Sequence, residues 1–246
     1  MIFALRNARN PLDYFVFLLI TLVAVCIAMV LHEVAHGLVA KWNGDFTAKN
    51  MGRLSLNPIK HFDIIGFVMM MLVGFGYAKP VPVNPYNFKH YRRGMFTVAI
   101  AGVVTNLIIA FFSTMCFCLM WLALNHATSN GVVELCWYLM QFFSVLTSIN
   151  LSLVFFNILP IFPLDGFRVV EAFTHRGNKF CAFMRTNGQY ILWGLVGLSF
   201  IVSAASSRVS LPYWFEYIDV LGTYLNFFVT HLGNLFSKFW WLIIPL

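Results

Sequence analysis

Long apolar segments constrain this chain more than any other feature of its sequence. Five of them are each long enough to cross a bilayer as a helix, which takes about 20 mostly apolar residues. They cover residues 14–42, 94–125, 131–160, 190–207 and 217–245. Only 10% of the residues are charged, whereas a soluble domain has about 25%. The sequence therefore predicts an all-α polytopic membrane protein with five or six transmembrane helices in a lipid bilayer.

A sixth apolar run, residues 64–77, is short for a spanning helix. The prolines that follow it in the sequence AKPVPVNP, residues 78–85, would stop any helix there. The preceding sequence GRLSLNP, residues 52–58, alternates between polar and apolar residues like a strand. We therefore expect a re-entrant segment with short β-strands near residues 50–85. A full sixth crossing is the alternative.

The basic residues predict an orientation in the membrane. If residues 64–77 re-enter, three of the 16 Lys and Arg residues lie on one side, namely Arg6, Arg9 and Arg208, and the other 13 lie on the opposite side. An excess of Lys and Arg marks the cytoplasmic side of a membrane protein. We expect the N-terminus outside and the C-terminus inside. Because the net charge of +7 comes from these loops, we expect no nucleic-acid partner.

The first apolar segment ends in the sequence HEVAHG, residues 32–37. His32 and His36 are four residues apart, so they share one face of a helix and can bind the same metal ion. Glu33 lies beside them and can take a proton from a metal-bound water, as in the HExxH motif of zinc metalloproteases. Ionisable residues in a membrane helix are costly unless they are paired or bind metal, which favours a zinc site.

Catalytic zinc usually has three protein ligands and one open position. Asp165 is the favoured third ligand because it follows the long apolar run 131–160 in the sequence NILPIFPLDG, residues 157–166. The two prolines of that sequence break the helix, and Gly166 allows a sharp turn. The predicted orientation places Asp165 and His36 on the same side. An aspartate that only caps the next turn is the alternative.

These motifs resemble the site-2 protease family of intramembrane zinc metalloproteases. The resemblance rests on HEVAHG, MGRLSLNPIKHFD (51–63), GYAKPVPVNPYNFKHYRRGM (76–95), AGVVTN (101–106) and NILPIFPLDG, in the family's order over about residues 30–170. The chain is similar to the compact bacterial branch, which lacks PDZ and CBS domains. It departs from the family pattern at Val103, where the family has proline, and at Phe167, where the family has glycine.

The resemblance implies a role for each matching site residue. Three residues would bind one zinc ion per chain: His32, His36 and Asp165. Glu33 would be the general base. Asn157 and Asn106 would be catalytic residues that assist substrate or transition-state binding, although either asparagine could instead hydrogen-bond another helix.

The implied activity is hydrolysis of peptide bonds within or near transmembrane segments of single-span membrane proteins. The active site would face the cytoplasm in a bacterial inner membrane. Residues 1–246 would form one integral-membrane domain, with a catalytic core at about 14–170 and accessory spans at about 190–245. Two alternatives remain open: a membrane metal transporter without peptidase activity, and a peptidase for soluble or lipidated peptides that uses Glu171 as its third ligand.

Overall fold

The regular structure of the chain is helical. The computed structural model describes residues 11–63, 66, 78–175, 177–206 and 213–244. The α-helices are α1 (Pro11–Trp42), α2 (Thr47–Asn50), α3 (Tyr91–His126), α4 (Asn130–Asn157), α5 (Asp165–Phe173), α6 (Lys179–Ser206) and α7 (Val220–Ile243). Short 3₁₀-helices occupy Pro58–Lys60, Pro85–Asn87 and Tyr213–Ile218. The prediction of an all-α protein is confirmed for the part described.

Four of the described helices are long and apolar enough to cross a membrane: α1 from Leu12 onward, α3, α4 and α6. The segment predicted as a further span, 217–245, forms α7 but is not among these four. Its polar residues lower its hydropathy, including Asn226, His231 and Asn234. The chain therefore has the helices of a polytopic membrane protein, and a count of five or six spans is not confirmed.

The packing of α7 determines which way this helix runs. Near its start, the Tyr224 hydroxyl donates to the carbonyl of Phe155, close to the C-terminal end of α4, at 3.2 Å. Near its end, Nε1 of Trp240 donates to the carbonyl of Phe111 in α3 at 2.9 Å. Helix α7 therefore runs antiparallel to α4, and Lys238 lies far from the α4–α5 connection. This corrects the expectation that the C-terminal end of the chain lies on the inner side, which would have placed Lys238 with the other 12 basic residues there.

The strands expected near residues 50–85 are not formed in the described part of that segment. Its one β-contact is an isolated antiparallel bridge between Phe62 and Ala78. Prolines remove backbone donors from the following stretch. Asn57 and Asn84 instead accept hydrogen bonds at the starts of the two 3₁₀-helices. The predicted re-entrant run 64–77 lies outside the described residues except at Gly66.

A buried carboxylate connects the loop after α1 to the loop before α3. Asp45 is fully buried and accepts hydrogen bonds from the Asn84 amide N–H at 2.7 Å and the Asn87 side chain at 2.8 Å. Thr47 donates both its N–H and its hydroxyl to the same carboxylate. Burial alone would raise the pKa of Asp45, but these hydrogen bonds outweigh it and hold the pKa below its usual range. The charged form therefore stabilises this junction.

Replacing Asp45 with alanine leaves several buried donors without a partner. We expect Asp45→Ala to lower the free energy of unfolding by about 3 kcal/mol, measured by thermal or chemical denaturation in detergent. Glu134→Ala, at an exposed carboxylate near the start of α4, is the matched control and should change little.

The pH dependence of that loss follows from the lowered pKa. A carboxylate with a lowered folded-state pKa contributes its full stabilisation above the unfolded pKa of about 3.9 and loses it as the pH falls through the folded value. The difference between wild type and Asp45→Ala should therefore be constant near neutral pH and narrow below about pH 3.9. A difference that grows on acidification would contradict this assignment.

Candidate metal centre

Helix α1 places two imidazole rings side by side near its C-terminal end. His32 and His36 are both buried, and their Nε2 atoms are 3.0 Å apart. The four-residue spacing brings both rings to one face because α1 continues unbroken from Pro11 to Trp42. The two rings present nitrogen atoms to the same small volume.

Asp165 joins the two histidines from a distant part of the chain. Its Oδ2 atom lies 3.2 Å from Nε2 of His32 and 3.1 Å from Nε2 of His36. Helix α4 ends at Asn157, and Asp165 is the first residue of α5. A carboxylate in the first turn of a helix is stabilised by the free N–H groups there. The structure thus brings together the three residues that the sequence analysis selected as ligands.

The three donor atoms fit a zinc ion. Tetrahedral zinc holds nitrogen and oxygen at about 2.0–2.2 Å, which places its ligand atoms roughly 3.3 Å apart. Nδ1 of His36 donates to the carbonyl of Val98 at 2.7 Å, so its Nε2 keeps a lone pair for a metal. Asp165 Oδ2 is buried without a hydrogen-bond donor among the described residues. Within the described part of the chain, this is the one group of three potential metal ligands.

Two glycines allow the close packing that this geometry requires. A Cβ atom at Gly102 would lie 2.4 Å from Cε1 of His32, so α3 can approach α1 here only without a side chain. A Cβ atom at Gly166 would lie 2.2 Å from the carbonyl oxygen of Ile158. Gly166 does not have a positive φ angle. We expected Gly166 to allow a sharp turn. Instead, its lack of a side chain allows α5 to pack against the end of α4.

Glu33 is held by a backbone amide that the sequence analysis did not identify. Its Oε2 atom accepts a hydrogen bond from the N–H of Val81 at 2.8 Å, and the side chain is half-buried. Backbone groups carry no residue signature, so no motif could point to this contact. The nearest signal is that Val81 lies between Pro80 and Pro82, which leaves it the one residue of the three with an N–H group.

The two candidate asparagines have different surroundings. Asn106 is fully buried, and neither polar atom of its side chain has a hydrogen-bond partner in the described part of the protein. It lies one helical turn beyond Gly102 on α3. Asn157 is half-buried at the end of α4, and its side-chain amide donates to the carbonyl of Leu153 in the same helix at 3.0 Å. Of the two asparagines, only Asn106 therefore has a buried side-chain amide whose donors and acceptor are all unused in the described part of the protein.

Two other ionisable residues of ligand type, Glu171 and His61, lie elsewhere. The carboxylate of Glu171 pairs with Arg185 of α6. Nε2 of His61 lies 2.8 Å from the carbonyl oxygen of Ser55 and bonds within its own loop. Neither belongs to the group formed by Asp165 and the two histidines. The alternative that Glu171 is the third ligand therefore has no support in the geometry.

The packing at Gly102 yields a test of the metal centre. In Gly102→Ala the added methyl group must displace the His32 ring, so we expect zinc affinity to fall about 10-fold or more, as for other changes that disturb ligand orientation. Competition with a chelator, read by elemental analysis, measures this. Gly131→Ala is the control because a Cβ atom there meets nothing within 4 Å. Equal zinc affinity in the two variants would contradict the assignment.

Comparisons with known proteins agree with this geometry. The family model described as Peptidase family M50 matches residues 20–196. "Putative zinc metalloprotease YwhC" of Bacillus subtilis is 38% identical over 208 residues, covering 78% of this chain and 90% of the relative. "Putative zinc metalloprotease Rip2" of Mycolicibacterium smegmatis is 25% identical over 239 residues, covering 94% of this chain and 84% of the relative. No solved structure matches significantly. Because the family model covers well over half of it, the chain belongs to Peptidase family M50, the site-2 protease family.

Proposed function

We propose that this protein is a membrane-embedded zinc metalloprotease that hydrolyses peptide bonds within or near the transmembrane segments of single-span membrane proteins. The observation that carries the proposal is the convergence of His32, His36 and Asp165 within 3.2 Å of one another, beside Glu33 at the end of an apolar helix. The names of the two relatives support zinc as the metal. One such group per described chain supports one zinc ion per protein.

Each residue of the site has a separate role in the proposed peptide hydrolysis. His32, His36 and Asp165 would hold the zinc ion, which when bound supplies an acidified water and polarises the substrate carbonyl. Glu33 would accept a proton from the attacking water and return it to the leaving amine. The N–H of Val81 orients the Glu33 carboxylate for both transfers because it occupies one of its two oxygens.

The two asparagines are assigned to substrate binding. The buried amide of Asn106 has unused donors and acceptors one turn beyond Gly102, the residue against which His32 packs. A substrate carbonyl near the metal could accept a hydrogen bond from this amide, and the bond would strengthen as negative charge develops on the oxygen. Asn157 lies at the end of α4, just before the turn that leads to Asp165, where it can hold the substrate backbone.

A transmembrane substrate must unwind before it can be cut, because its amides are hydrogen-bonded within its own helix. We assign the stretch 52–57 as the edge on which the unwound segment adds by β-pairing. It lies against the residue that precedes the prolines, since the Arg53 guanidinium donates to the Lys79 carbonyl at 2.7 Å. The Lys79 N–H donates to the His61 carbonyl at 2.8 Å.

The distribution of charge supports an orientation with the metal group toward the cytoplasm. Basic residues are concentrated in the loops and helix ends next to the site: Lys41, Lys49, Arg53, Lys60, Lys79, Lys89, Arg92, Arg93, Arg168, Lys179 and Arg185. Such a cluster favours the cytoplasmic side, here of a bacterial inner membrane. In this arrangement 64–77 would re-enter from the cytoplasmic side.

Changing Glu33 to glutamine separates proton transfer from metal binding. Cells that co-express the protein with a panel of tagged single-span proteins should accumulate uncleaved substrate with Glu33→Gln, with cleavage slowed about 10²- to 10⁴-fold. Zinc content should stay at the wild-type level because the three ligands remain. Glu134→Gln, the same change at an exposed site, is the control.

Asp165→Ala completes the comparison by removing a ligand. It should lose zinc and cleavage together, and elemental analysis with immunoblotting of the substrate panel reads both effects. The metal-transporter alternative predicts that no member of the panel is cut in a manner that depends on Glu33. That result would reject the protease assignment.

A further inference from the structure

A cavity of about 220 Å³ lies beside the metal group and plays no part in holding the metal. Val98, whose carbonyl binds His36, lines this cavity from α3. Phe167, two residues after Asp165, lines it from α5. The cavity therefore adjoins the metal group on the two helices that support the ligands.

The inner wall of the cavity is apolar. Phe88, Met95, Val98 and Phe167 line it, and each is more than nine-tenths buried. A cavity of roughly 150 Å³ with apolar walls is enough to bind benzene. The space here is larger, so it can take a phenylalanine, leucine or methionine side chain, whose burial is favourable.

The rim of the cavity carries an unbalanced positive charge. Arg168, Glu171 and Arg185 all line it. Glu171 forms an ion pair with Arg185. Arg168 has no carboxylate partner among the described residues, although it is only half-exposed. A guanidinium beside an apolar cavity complements a carboxylate, which it can bind through two parallel hydrogen bonds.

We propose that this cavity is a specificity subsite of the protease. It binds a large apolar side chain of the substrate close to the cleaved bond, while Arg168 binds the carboxylate of a neighbouring Asp or Glu residue. The proposal rests on the proposed function. It also fits the location of the site, because the apolar residues at the end of a transmembrane segment are followed by polar ones where the chain leaves the membrane.

Cleavage profiling of the purified protein in detergent tests this subsite. The probe is a synthetic pool of membrane-span peptides that combine a large or small apolar residue with Asp, Asn or Lys as its neighbour. Mass spectrometry identifies the cuts that wild type makes and Glu33→Gln does not. We expect these cuts to be enriched at a large apolar residue next to Asp.

Two substitutions should change that preference in different ways. Arg168→Glu should lower the preference for Asp over Asn by about tenfold, the usual value of a charge-assisted hydrogen bond, and should favour Lys. Met95→Trp should fill the cavity and shift cuts toward small residues. The controls are Arg92→Glu, at an exposed arginine in the first turn of α3, and Met120→Trp, farther along the same helix. Both should keep the wild-type profile.

Each outcome decides one question. If no cut depends on Glu33, the proposed function fails and the subsite fails with it. If Glu33-dependent cuts occur with the same profile in wild type and Arg168→Glu, the subsite fails and the proposed function stands. Because Arg168 is not fully buried, this variant keeps the test decisive even where Met95→Trp does not fold.

Discussion

The close approach of α3 to α1 is the constraint on which the rest of the structure depends. It is possible because Gly102 has no side chain where the His32 ring lies. One turn earlier on α3, the Val98 carbonyl receives the Nδ1 proton of His36 and fixes that ring as well. Small residues are the usual means by which membrane helices pack closely, since lipid offers no hydrophobic force to drive helices together. A single helix contact thus orients both imidazoles.

Two carboxylates hold the proline-rich stretch that leads into α3. Glu33 accepts the N–H of Val81, and Asp45 accepts the N–H of Asn84. Prolines 80, 82 and 85 have no N–H groups to offer, so these contacts use donors from the few residues that retain one. The proposed base, Glu33, and the loop anchor, Asp45, therefore hold the same short segment. A shift of that segment would alter the position of Glu33.

The sequence was sufficient for the parts of the structure that follow from helical periodicity and apolar length. It placed α1, α3 and α4 within about three residues of their observed ends, and it selected Asp165 as the favoured third ligand, with a capping aspartate as the alternative. It could not give the direction of α7, because hydropathy does not identify packing partners. The expected strands are not formed in the described residues, because the prolines have no N–H group to donate to a neighbouring strand, whatever the alternation of polar and apolar residues. The hydrogen bond from the Val81 N–H to Glu33 could not be predicted, because every residue other than proline has a backbone N–H.

A metal site for hydrolysis inside a membrane protein has two opposing needs. The ligands must be buried, since a dry surrounding strengthens their electrostatic effect on the substrate, and each of the three is more than nine-tenths buried here. Water must still reach the metal. The position of the site meets both needs, because His36 lies six residues before the end of α1 and Asp165 begins α5 outside the long apolar helices. Glu33, which we propose exchanges protons with water, is correspondingly the least buried member of the group.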